Sequence, residues 1–186
     1  MTRSFSNSIC WISLALAALS SSLSPAQSRT WSPTPINLAQ DYAIINDNRG
    51  SGEIVLVIWL APPMFPQDAS TQAARDMLDK YIVIGVAHAH IASDATMTFD
   101  QVATLDVVDG SDKPLNALNV STMPPTVVGA LAALQSAFGR SIGALGQGVH
   151  WFAFDSGSVH ACAKGGLAVS FASVKYTYGT PIPGCQ

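Results

Sequence analysis

The sequence predicts a mainly β protein, an antiparallel sandwich carrying one long apolar helix and one short helix. Three observations lead there. About eight short apolar or alternating runs recur between residues 41 and 178, separated by turn residues and without the alternating helices of a parallel α/β sheet. One stretch, 126–145, instead repeats its apolar residues at helical spacing. Of twelve acidic residues only Glu53 is a glutamate. Aspartates favour turns and caps whereas glutamates favour helix interiors, so the bias suits strands joined by turns.

Residues 1–26 read as a secretory signal: a charge at Arg3, an apolar run from Ile9 to Leu19, then small residues ending in Ser24-Pro25-Ala26, after which cleavage is expected. Ala18-Leu19-Ser20 is a poorer site. The run falls well short of the ~20 residues that cross a bilayer. Cys10 lies at its start rather than beyond it, so no lipid attachment is expected. Residues 27–39, rich in Ser, Thr and Pro, read as a loose lead-in, and residues 40–186 as a single domain.

Within that domain, residues 41–46 read as a strand and 46–52 as its turn. Residues 53–60, unbroken and β-branched, read as a strand buried on both faces. Pro62, Pro63 and Pro66 end it, and Asp68 or Ser70 caps the short helix through Ala73, Met77 and Leu78. Residues 81–91 form a second strong strand. Ile82, Ile84, Val86, His88 and His90 share one face, and Tyr81, Val83, Gly85, Ala87 and Ala89 the other. Residues 103–109 and 113–118 pair as a hairpin around Asp109-Gly110-Ser111-Asp112. The long helix follows Pro124-Pro125, and further strands are expected at 149–155, 158–163, 167–171 and 174–178.

Loss of Cys10 with the signal leaves Cys162 and Cys185, which read as a disulfide in an exported chain. It would tie the segment from Thr180 to Cys185 onto the strand containing Cys162. No Cys-x-x-Cys spacing supports a catalytic thiol pair. The net charge of −3 becomes more negative once Arg3 is removed, which argues against nucleic acid as a partner. Charged residues make up 11% of the chain and apolar residues 48%, a balance that implies extensive burial and a surface able to associate.

The stretch from Tyr81 through Val107-Val108-Asp109-Gly110-Ser111-Asp112-Lys113-Pro114-Leu115 resembles exported bacterial immunoglobulin-like domains of unknown function, in which a long strand precedes a hairpin of this turn chemistry. The ending Thr180-Pro181-Ile182-Pro183-Gly184-Cys185 is similar to theirs. The resemblance covers less than half of the chain. It implies an immunoglobulin-like sandwich and a periplasmic or secreted location, and no activity.

Two patterns touch on chemistry. His88-Ala89-His90 puts both imidazoles on one strand face, a spacing used by β-fold transition-metal sites. His150 and His160 are further candidate ligands, and whether they meet depends on the register of the hairpin expected at 149–163. Two histidines alone bind metal weakly, and a third ligand must come from His150, His160 or an aspartate of a neighbouring loop. With none guaranteed, no stoichiometric metal and no cofactor are expected. Gly139-Arg140-Ser141-Ile142-Gly143 matches the nucleophile elbow of serine hydrolases, which needs a strand before the serine. The residues before Ser141 read as helix, so Ser141 is expected to be inert, although Asp155 and His160 follow in the order a triad requires.

The helix at 126–145 carries a single charge, Arg140. Its glycines, glutamine and serines make a poor membrane span, and burial against the sheet or against a partner suits it better. The expectation is an exported, non-enzymatic binding or interaction module for a protein or small-molecule partner, with self-association open to it. The alternative is a metal-binding protein or metalloenzyme built on His88 and His90.

Overall fold

Along the chain run α1 (Pro35–Tyr42), β1 (Ala43–Asn48), β2 (Glu53–Leu60), a 3-10 turn (Pro62–Met64), α2 (Gln72–Lys80), β3 (Tyr81–Ile91), β4 (Met97–Phe99), β5 (Asp106–Asp109), α3 (Pro125–Ser141), α4 (Gly143–Gln147), β6 (His150–Asp155), β7 (Gly165–Phe171) and β8 (Val174–Thr180). The computed structural model describes residues 35–48, 50–119 and 121–185, all within one unit, Trp31–Gln186. The signal segment 1–26 and Cys10 lie outside the described residues.

The strands form two antiparallel sheets, as the sequence predicts. The larger runs β1-β2-β3-β4, with β6 also pairing β3; the smaller runs β5-β7-β8. β3 organises the larger sheet because its length serves three partners. β2 takes one edge, from Val83 to His90. On the other edge β6 pairs with Tyr81 to Val86 and β4 with Ala89 to Ile91.

Alternation along β2 and β3 divides their side chains between two cores. Val55, Val57, Trp59, Ile82, Ile84 and Val86 meet Val107, Leu167, Val169, Tyr176 and Tyr178 of the smaller sheet. Leu56, Ile58, Leu60, Val83 and Ala87 lie beneath Leu78, Val127, Leu131, Leu134 and Phe138 of the helices. Val57, Val83, Ile84 and Val86 have no exposed surface, and each such burial contributes about 1.5–3 kcal/mol. A β-branched strand without polar alternation therefore reflects a sheet covered on both faces. Tyr178 anchors the smaller sheet: its hydroxyl donates to the Val57 carbonyl at 3.0 Å, and its ring meets Trp59 edge-on at 5.6 Å.

The structure corrects the sequence reading at several places. The end of the expected lead-in is helical, and Tyr42 at the close of α1 is buried. The single helix expected at 126–145 is two helices, of 17 and 5 residues. Gly143, at φ +61°, turns the chain so that α4 folds back on α3. There Gly146 packs on the Phe138 carbonyl and the Gln135 side chain donates to the Gln147 carbonyl at 2.9 Å. Residues 113–118 form no strand. They cross between sheets, bridging Pro114 to Val108 and then Ala117 to Phe154. Residues 158–163 likewise carry the chain from β6 in one sheet to β7 in the other, through turns closed by Val159 N–H to the Ser156 carbonyl and Ala163 N–H to the His160 carbonyl. A segment changing sheets cannot pair with the strand it leaves, so Cys162 sits in a turn rather than a strand. The strand β4 and its turn go unpredicted; Asp94 builds that turn by accepting the Thr96 amide at 2.9 Å.

The disulfide Cys162–Cys185 is present. It does not hold the C-terminal segment alone: Ile182 is buried in the core, its amide donates to the Ala161 carbonyl at 2.9 Å, and the Tyr42 hydroxyl donates to the Pro183 carbonyl. No described helix is long and apolar enough to cross a membrane.

Candidate functional site

The end of β3 carries His88 and His90 out of the core on the face that begins with Ile82, Ile84 and Val86. Exposure rises along the strand, from none at Val86 to 14% at the His88 side chain and 39% at that of His90. Two neighbouring strands then deliver a carboxylate each. β2 runs antiparallel to β3, so its first residue, Glu53, lies directly opposite His90. On the other edge the Asp94 turn returns the chain as β4, and the Asp100 amide just beyond it donates to the His88 carbonyl at 3.0 Å.

One oxygen of Asp100 serves both rings. Asp100 Oδ2 lies 2.8 Å from His88 Nδ1 and 3.0 Å from His90 Nε2. The hydrogen bond from His90 holds the Asp100 carboxyl below the usual carboxylate range. The same bond raises His90 above the ordinary imidazole value, with the charges of Asp100 and Glu53 adding to it. The rings lie 4.6 Å apart at a 50° tilt, and Phe171 of the smaller sheet meets His88 edge-on at 5.7 Å.

Ligand atoms of Glu53, His88 and His90 all lie within 4.8 Å of one another, close enough to share one metal ion. Two imidazoles and a carboxylate suit zinc and other first-row transition metals.

The remaining candidates lie apart from this group. His150 stands opposite Val86 on β6, outside the three-residue set. His160 is in the sheet-crossing turn, where with Lys164, Ser111, Ser158 and Asp109 it lines an open cleft of about 600 Å³. That cleft flanks Gly165, at the opposite end of β7 from Phe171. Over a seven-residue strand the two ends are about 20 Å apart. Ser141 is the exposed last residue of α3, a helical position and not the strand-to-helix turn of a nucleophile elbow.

Sequence reasoning missed Glu53 and Asp100. Glu53 had a readable signal: two adjacent antiparallel strands place the start of one beside the end of the other. Comparison with family models, with curated proteins and with solved structures found no match.

Proposed function

We propose that this protein is an exported, disulfide-tied binding module whose ligand is a divalent transition-metal ion, held by Glu53, His88 and His90. The observation that supports it best is the convergence of these three side chains within 4.8 Å, supplied by two strands whose pairing brings them to one end of the sheet. Two features add support. Asp100 bonds a nitrogen of each imidazole, the outer-carboxylate arrangement that orients metal-binding histidines. Among the described residues the two cysteines, Cys162 and Cys185, are joined to each other, so the site relies on imidazole and carboxylate donors. The disulfide also fits an oxidising compartment, in keeping with the periplasmic or secreted location expected from the sequence.

A metal that binds the folded state alone stabilises it. Zinc is expected to raise the melting temperature of the untagged protein saturably, and to leave that of His88→Ala/His90→Ala unchanged. An equal shift in both, or none in the parent, would contradict the proposal.

A further inference from the structure

The two carboxylates approach the imidazole pair from opposite edges of β3, Glu53 from β2 and Asp100 from just beyond β4. Asp100 Oδ2 occupies Nδ1 of His88 and Nε2 of His90. An imidazole that donates N–H to a carboxylate through one nitrogen keeps the lone pair on the other. His88 Nε2 and His90 Nδ1 are therefore the lone-pair nitrogens, directed away from Asp100. In the proposed site these two nitrogens and the Glu53 carboxylate are the donors, and Asp100 acts through the rings.

Resting on the metal reading above, we propose that the ion keeps coordination positions open to solvent and binds a small anionic ligand there. Three donors projecting from one face of one sheet fill one side of an ion that takes about four to six. The open side faces outward. His90 and Asp100 at the rim are 39% and 51% exposed, and the ring packed on His88 is Phe171, which carries no donor atom. A closed structural zinc site surrounds its metal with four protein ligands, whereas three ligands and an open position mark sites that exchange ligands. A dication accepts electron-pair donors at its open positions, so small anions such as carboxylates are the ligand class favoured over cations or bulky apolar molecules. Asp100 is a positioning residue that fixes both tautomers.

Cobalt(II) makes the site visible. The full-length exported protein, loaded with one cobalt per chain, is expected to show a visible absorption spectrum that azide alters saturably. A loaded protein whose spectrum is indifferent to excess azide has a closed site, which overturns the proposal while leaving metal binding intact. Failure to take up cobalt overturns the metal reading and this proposal with it. Asp100→Ala changes an exposed loop residue and is expected to weaken cobalt binding by about 10–100-fold while keeping both the spectrum and its azide response. A changed spectrum in cobalt-saturated Asp100→Ala would make Asp100 a direct ligand and contradict the three-donor assignment.

Discussion

Glu53 and His90 face each other directly across the β2–β3 pairing, and that relationship turns a pair of histidines into a three-donor group. Glu53 is the chain's only glutamate, and it stands at the first position of a strand whose following residues are buried in the two cores. Its half-buried position adds little to that packing. Glu53→Gln is therefore expected to leave the urea midpoint of the metal-free protein unchanged. It is expected to lower zinc affinity by more than about 100-fold, beyond what loss of an outer carboxylate brings. Calorimetric titration checks it, and unaltered affinity would remove Glu53 from the ligand set.

β3 also carries a steric requirement. Gly85 is paired with Trp151, and a Cβ at Gly85 would lie 2.6 Å from the indole ring. Phe138 packs on the same indole at 4.9 Å, so the ring has little freedom to withdraw. Gly85→Ala is expected to cost about 1–3 kcal/mol through overpacking, read from urea unfolding. An unchanged midpoint would mean that Trp151 moves freely.

Reduction should weaken the fold without abolishing it. Cys162 and Cys185 are separated by 23 residues, and closing such a loop stabilises by about 3 kcal/mol in the chain-entropy model. Ile182 and its hydrogen bond to Ala161 remain when the bond is cut. The Cys162→Ser/Cys185→Ser variant is expected to fold with a lowered urea midpoint. Complete loss of near-ultraviolet dichroism would show that the covalent bond alone holds the C-terminal segment.

Asp109 predicts a pH dependence. It is 6% exposed, and the Lys113 and Ser111 amides and the Ser158 hydroxyl donate to its carboxylate. These bonds, that from Lys113 foremost, hold its carboxyl below the usual range. A folded value below the unfolded one, ordinarily about 3.9, makes the contribution complete above the unfolded value. It is lost as pH falls through the folded one. The stability advantage of the parent over Asp109→Asn is therefore expected to be full near neutrality and to shrink below about pH 4. A difference independent of pH would contradict this.

The elements legible in the sequence were those with a strong local signature. β2 follows from an unbroken β-branched run, β3 from a long apolar run with two distinct faces, and the Asp109 turn from its residues. What escaped depended on contacts between distant segments. Residues 158–163 alternate like a strand, yet they cross from one sheet to the other and pair with neither. Residues 126–145 keep a helical pattern throughout, and only the approach of Gly146 to Phe138 shows why the helix breaks at Gly143. The His-x-His face was legible from alternation alone. Of its carboxylates, Asp100 was not, because it depends on a three-residue strand, and Glu53 could be placed only by pairing β2 with β3 across a 20-residue connection of turn and helix.

The most direct measurement is metal content. Untagged protein, dialysed against zinc and then against metal-free buffer at neutral pH, should retain one zinc per chain by elemental analysis, and His88→Ala/His90→Ala should retain none while keeping the parent's circular dichroism. Parent protein that emerges without zinc, or a double variant that holds as much as the parent, would contradict the assignment of Glu53, His88 and His90 as a metal site.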